Sequence, residues 1–202
     1  SAQQAVKEDP RQARNQTVLG FSYLSQIKTK EAMEAFQKAI DLDQSDPMPR
    51  LGMGLAVIRE GRLAEGREHI EIAASLDPQN SIIRSYLGKA YYEEKREKQA
   101  ADQFALAKQF DSKDPTPFLY DAILKQSTNK PVEALYDLEK SMELNDQRAV
   151  YRSRLLLDED IAVRSVQLAR IHTDLGFAQR ALSEGYRSVN TDPANFSAHR
   201  FL

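Results

Sequence analysis

The sequence predicts an all-α solenoid built from about five stacked helix-turn-helix repeats, and three observations lead there. The pattern Leu19-Gly20-x2-Tyr23 … Ala32-x3-Phe36 returns as Leu87-Gly88-x2-Tyr91 … Ala100-x3-Phe104, with the chain between them in the same 34-residue register. Gly20, Gly54 and Gly88 anchor that register, and Ala39, Ala73 and Ala107 repeat it on the second helix of each pair. Asp46-Pro47 and Asp114-Pro115 place a side-chain acceptor before a first-turn proline, which marks a helix start. A unit of this length is one helix pair that cannot bury its apolar side alone, so copies must stack.

In order along the chain, residues 1–12 carry Ala5, Val6, Asp9 and Pro10 and fit the last third of an upstream unit. Repeats follow at 13–46, 47–80, 81–114 and 115–148; the fourth keeps its frame through Ala134, Leu138 and Leu144 although Ala122 stands at the glycine position. Residues 149–161 have no place in the frame, and 162–195 restores it with Gly176, Ala181 and Pro193. Residues 196–202 fit only the opening of a further helix, so both ends cut through repeats and the sequence reads as a fragment of one solenoid. The predicted helices are 13–27, 30–43, 47–60, 63–76, 81–94, 97–111, 115–127, 131–144, 159–175 and 178–190. The small residues have a steric role: Gly20, Gly54, Gly88, Ala122 and Ala169 let paired helices approach, with Ser141 and Ser188 standing in for alanine on the later partner helices.

Composition narrows the function. With 28 basic against 30 acidic residues the formal net charge is -2, so no whole-chain field gathers nucleic acid or an acidic membrane. The absence of cysteine excludes disulfides, thiolate metal sites and thiol nucleophiles. The longest apolar runs, such as Leu155-Leu156-Leu157, fall far short of a membrane span. His69, His172 and His199 stand in three different repeats and none is in a metal-spaced pair. No nucleophile elbow, phosphate loop or dinucleotide glycine pattern is present, and Glu93-Glu94 is an ordinary solvated helix pair. No catalytic residue, cofactor or metal is expected.

The chain resembles the tetratricopeptide repeat (TPR) family over nearly its whole length. It departs from the family pattern in having no tryptophan, and in placing Gly66, His172 and Gly185 where alanine, tyrosine and a large apolar residue are usual; these units are expected to pack less regularly. The resemblance implies a right-handed superhelix whose concave wall is made by the first helix of each pair, at its second, fifth, ninth, twelfth and thirteenth places. In this sequence those places, with their neighbours, supply Phe21 and Leu24, then Met48, Leu51, Leu55 and Ile58, then Ile82, Lys89 and Tyr92, then Leu119 and Ile123. An apolar strip of this size implies a protein or peptide partner held in the groove. The family's carboxylate clamp needs lysine and asparagine where Thr17, Phe21, Gly52, Ile82 and Tyr86 stand, so that mode is not expected.

The least generic stretch is 149–161. Its acidic run Asp158-Glu159-Asp160 suits a helix N-terminus, where carboxylates meet free amides, and predicts that the next helix starts near 159. Lysine vanishes after Lys140 while Arg148, Arg152, Arg154, Arg164 and Arg170 follow, and the planar guanidinium fork suits carboxylate or phosphate. These arginines form a candidate anion patch, unless Asp158, Glu159, Asp160 and Asp174 pair with them. A narrower resemblance rests on Tyr151 to Asp160 and on Ser188 to Leu202. It points to large bacterial envelope proteins with a FecR-like domain and a barrel-like outer-membrane region, and implies a periplasmic setting, with the cytoplasm as the alternative. Two functions follow: a groove that binds an apolar peptide or helix, or a structural spacer inside a larger envelope protein, with weak end-to-end self-association in either case.

Overall fold

The computed structural model describes residues 12–146 and 154–202, and among them there are eleven helices and no strand. They are α1 Ala13–Ser25, α2 Thr29–Leu42, α3 Pro47–Arg59, α4 Leu63–Leu76, α5 Ser81–Glu93, α6 Glu97–Phe110, α7 Pro115–Ser127, α8 Pro131–Asp146, α9 Arg154–Asp174, α10 Ala178–Thr191 and α11 Phe196–Phe201. The chain divides into two compact units, Ser1–Gln103 and Phe104–Leu202, with the boundary inside α6. Most predicted ends agree within two residues. The exception is α9, which starts at Arg154 rather than near 159, because nothing in Leu155-Leu156-Leu157-Asp158 breaks a helix. The expected partial repeat at 1–12 and the first part of the 149–161 insertion lie outside the described residues.

The helix starts follow the repeat. Asp46 accepts from the Met48 amide at 2.9 Å and Asp114 from the Thr116 amide at 2.9 Å, with proline next in each case. Asn80 and Asn195 cap α5 and α11 by accepting from Ile83 and Ala198. Each cap satisfies an amide that the helix itself leaves open. The turns inside the pairs show a second register: Ile27, Gly61, Lys95, Asn129 and Gly176 all have positive φ, between 59° and 86°. The first four stand 34 residues apart. Only the two glycines and the asparagine adopt this backbone cheaply, so Ile27 and Lys95 carry strain there.

In the first unit, α1 packs on α2, α2 on α3, α3 on α4 and α4 on α5. Phe36 of α2 is fully buried, and its ring occupies the space that a side chain at Gly20 would need: a Cβ there would lie 2.5 Å from it. Between α3 and α4 the approach is closer than alanine permits. A Cβ on Gly66 would sit 2.6 Å from the Gly54 carbonyl oxygen and one on Gly54 2.6 Å from the Gly66 oxygen. The unusual Gly66 therefore tightens its pair instead of loosening it. Above this contact Leu51, Ile70, Ile83 and Leu87 form the main core. A network on α4 and the following repeat joins Arg67 to Glu71 (2.6 Å) and Glu94 (3.0 Å), with Tyr91 donating to Glu71 at 2.7 Å. Burial alone would raise the Glu71 pKa, but the bonds from Tyr91 and Arg67 hold it below its ordinary value.

In the second unit the core of Ala122, Ala134, Leu138, Leu168 and Ile171 joins α7, α8 and α9. Ser141 and Ser188 are fully buried and are more than small spacers: Ser141 donates to the Pro115 carbonyl at 2.9 Å and Ser188 to the Ala162 carbonyl at 2.7 Å. Both donor and acceptor move on by 47 residues between the two bonds, one repeat plus the 13-residue insertion. Ala162 is thus the true start of the fifth unit, and Arg154 to Ile161 extend its first helix by two turns.

Candidate functional site: a concave groove on the first unit

α1, α3 and α5 bring their inward-facing side chains together around a depression of about 620 Å³. Phe21 and Leu24 come from α1, Met48, Leu51, Leu55 and Ile58 from α3, and Ile82 and Lys89 from α5. Eight of the nine residues that the repeat places assign to these helices are thereby gathered in one groove. Their burial is graded. Ile82 is 42 % exposed at one lip, and Phe21, Leu24, Met48, Leu55 and Ile58 are half-buried walls. Leu51 is 1 % exposed and belongs to the core with Ile70 and Ile83, so it closes the floor from below and is no free surface residue. Leu55 and Ile58 also rest against this core. The strip is therefore the upper layer of the hydrophobic interior, left open where the first helices face inward, and not a face separate from the packing of the second helices.

Tyr92 does not line the groove; its ring is covered by Lys95, whose Nζ is 5.8 Å from the centroid. Leu119 and Ile123 lie half-buried on α7 in the second unit, with Leu119 against the Leu138 and Ile171 cluster. The sequence reading passed over Ser25, Arg59, Tyr86, Ala90 and Glu93, which also line the depression. Ser25, Arg59 and Glu93 are each the thirteenth residue of their repeat, 34 apart, so the signal was present; a search for apolar residues discards it. They form a polar rim at the C-terminal ends of α1, α3 and α5. Arg59 Nη1 donates at 2.6 Å to the Leu24 carbonyl, which also accepts from the Ile27 amide at the end of α1. Lys89 and Glu93 pair at 2.8 Å across one turn. The result is an apolar trough with one polar, hydrogen-bonding edge.

Of the arginines, Arg164 lies inside the second unit, 5 % exposed, and its Nε donates to Ser141 Oγ at 3.1 Å. Arg170 is half-buried on α9. Arg148 and Arg152 lie outside the described residues, as does the side chain of Arg154, which opens α9. The strongest charge cluster is elsewhere. Lys108 of α6 pairs with Asp121 at 2.6 Å and with Asp137 at 2.8 Å, and Lys125 pairs with Asp121 at 3.0 Å and with Asp137. Asp121 and Lys125 occupy the places of Leu87 and Tyr91 one repeat earlier, so a charged quartet replaces core. Burial would raise the Asp121 pKa, but Lys108 and Lys125 together hold it below its ordinary value. Burial likewise opposes the charge on Lys125, and Asp137 and Asp121 raise its pKa in spite of it. All four charges are satisfied by one another, an arrangement that serves structure rather than chemistry.

Among the described residues no group of three His, Asp or Glu side chains could hold a metal, and no helix is long and apolar enough to cross a membrane. His172 is buried against Phe177 as a core residue. Residues 51–115 match the tetratricopeptide repeat family. No curated protein sequence matches the chain. Among solved structures, a chain of the APC/C hetero-tetramer Cut9-Hcn1 superposes with a TM-score of 0.87 at 15 % identity, over 98 % of this chain and 37 % of that one. The chain thus spans little more than a third of that relative. TTC0263, a thermophilic TPR protein of Thermus thermophilus, gives 0.77 at 15 % identity over 94 % and 96 % of the two chains. YrrB, described as a TPR protein with an unusual peptide-binding site, gives 0.56 at 16 % identity over 99 % and 96 %. Residues 51–115 match the tetratricopeptide repeat family, and from α1 to α11 the chain has the tetratricopeptide repeat fold.

Proposed function

We propose that the chain is a protein-binding scaffold whose groove on α1, α3 and α5 holds an apolar peptide or helix of a protein partner. The observation that carries this reading is the convergence of half-buried apolar side chains from three successive first helices on one open depression of about 620 Å³. A monomer that needed no ligand there would cover or polarise such a surface. The polar edge of Ser25, Arg59 and Glu93 gives the occupant a direction, since one flank of it meets hydrogen-bonding groups and the other meets only Met48 and Ile82. The peptide-binding site named for YrrB supports the idea that this fold can present such a surface. A spacer inside a bacterial envelope protein would need only contacts between repeats, and it leaves the exposed Ile82 and the open trough without a role.

The test is a selection of random 12-residue peptides displayed on phage, followed by methyl NMR of the protein with a selected peptide. Saturable shifts at the methyl groups of Leu24, Leu55, Ile58 and Ile82, with none at the exposed Val132 of α8, are expected. Shifts confined to the second unit would overturn the assignment.

A further inference from the structure

One contact between neighbouring repeats is set in opposite ways at two points along the chain. The residue in the middle of each second helix meets, sixteen residues on, a residue in the second turn of the next first helix. In repeat one the pair is Phe36 and Gly52, and a Cβ on Gly52 would lie 2.3 Å from the Phe36 ring. In repeat five the sizes are exchanged: the pair is Gly185 and Phe201, and a Cβ on Gly185 would lie 2.9 Å from the Phe201 ring. Between them, Ile70 is paired with Tyr86, and Phe104 with Tyr120, whose rings lie side by side with centroids 6.3 Å apart. The two glycines are therefore opposite members of one contact, each bare where its partner is an aromatic ring. Neither is needed for backbone freedom, since neither has a positive φ.

We propose that this pair is a steric key that decides which repeat can follow which. A helix carrying Gly185 placed beside one carrying Gly52 would leave a void with no side chain from either side, and a void in packed core costs stability in proportion to its volume. Phe36 beside any larger residue in place of Gly52 would have to leave the gap that it shares with Gly20. The native order satisfies both constraints at once. An exchange within the chain that parts α2 from α3 sets Phe36 against a larger residue and breaks the second of them, so the key protects the order of these repeats.

Transplanting the setting of repeat five onto repeat one tests the key. Phe36→Ala alone creates a cavity and should lower the thermal midpoint by about 10 °C. Gly52→Phe alone overfills the gap and should lower it by about 5–10 °C. The double variant places the ring on α3 and the small residue on α2, and its midpoint should lie above that of Phe36→Ala. A double variant that melts at or below Phe36→Ala, as independent losses would give, overturns the key. If Phe36→Ala does not fold, a folded double variant supports the proposal. If neither folds, the milder comparison of Phe36→Leu with Phe36→Leu plus Gly52→Ala is decided by the same rule.

Discussion

Ile27 shows how the repeat constrains single residues. Its place in the turn between α1 and α2 demands a left-handed backbone, which its counterparts Gly61, Asn129 and Gly176 accept readily and a β-branched side chain does not. The side chain is 76 % exposed, so it gains no packing in return. Ile27→Gly should therefore stabilise the protein by about 1 kcal/mol, the relief of φ strain less the entropy of glycine. Urea unfolding checks this, and a lowered midpoint would mean that Ile27 makes a contact worth more than its strain. Ser188 is the opposite case, a residue whose small size conceals a bond. Ser188→Ala keeps the packing but removes the second donor to the Ala162 carbonyl, which stays in the ladder of α9, and should cost about 0.5–1.5 kcal/mol. Sequence alone registers the smallness of Ser141 and Ser188, because alanine stands there in earlier repeats. It does not register the carbonyl they reach, since that acceptor is backbone.

Among the elements, α6, α7 and α8 are joined by charge as well as by apolar contact. The quartet is balanced only while both carboxylates are ionised. The Asp121 pKa is held below its ordinary 3.8 by the lysines, against its own burial. Its contribution to stability is therefore present above that ordinary value and lost as the pH falls through the lower, folded-state value. Lys125 is raised above 10.5, so its contribution is present below that and lost as the pH rises through the higher value. Between these limits the contributions of Asp121 and Lys125 do not change with pH. Asp121→Asn leaves Lys108 and Lys125 to share Asp137 and should cost about 3–5 kcal/mol at pH 7. The gap between wild type and variant should narrow in acid, and urea midpoints at pH 7 and pH 3 measure this; a constant difference would show that Asp121 acts through shape alone. The helix register was legible in the sequence because glycine, alanine and Asp-Pro repeat at fixed places. The quartet was not, because Lys108, the Asp121 and Lys125 pair, and Asp137 stand on three different helices and look like solvated surface charges until those helices are packed.

For the molecule as a whole, one repeating frame accounts for both the fold and the candidate site. The same 34-residue period that aligns Gly20, Gly54 and Gly88 also aligns Ser25, Arg59 and Glu93 on the rim of the groove. Eight groove residues were readable because family-like places on the first helices face inward. The distinction between Leu51 and Leu55 was not, since helical spacing puts both on one side and only packing against Ile70 and Ile83 separates floor from wall. That distinction is also where the account is most exposed. Leu55→Glu replaces a half-buried wall residue and should cost about 1 kcal/mol, whereas Leu51→Glu buries a charge and should unfold the chain. The most direct measurement is the affinity of a selected apolar peptide for Leu55→Glu, with the thermal midpoint taken on the same sample. The account predicts a folded variant, melting within about 4 °C of wild type, that binds the peptide at least tenfold more weakly. A folded variant that binds as tightly as wild type would contradict it.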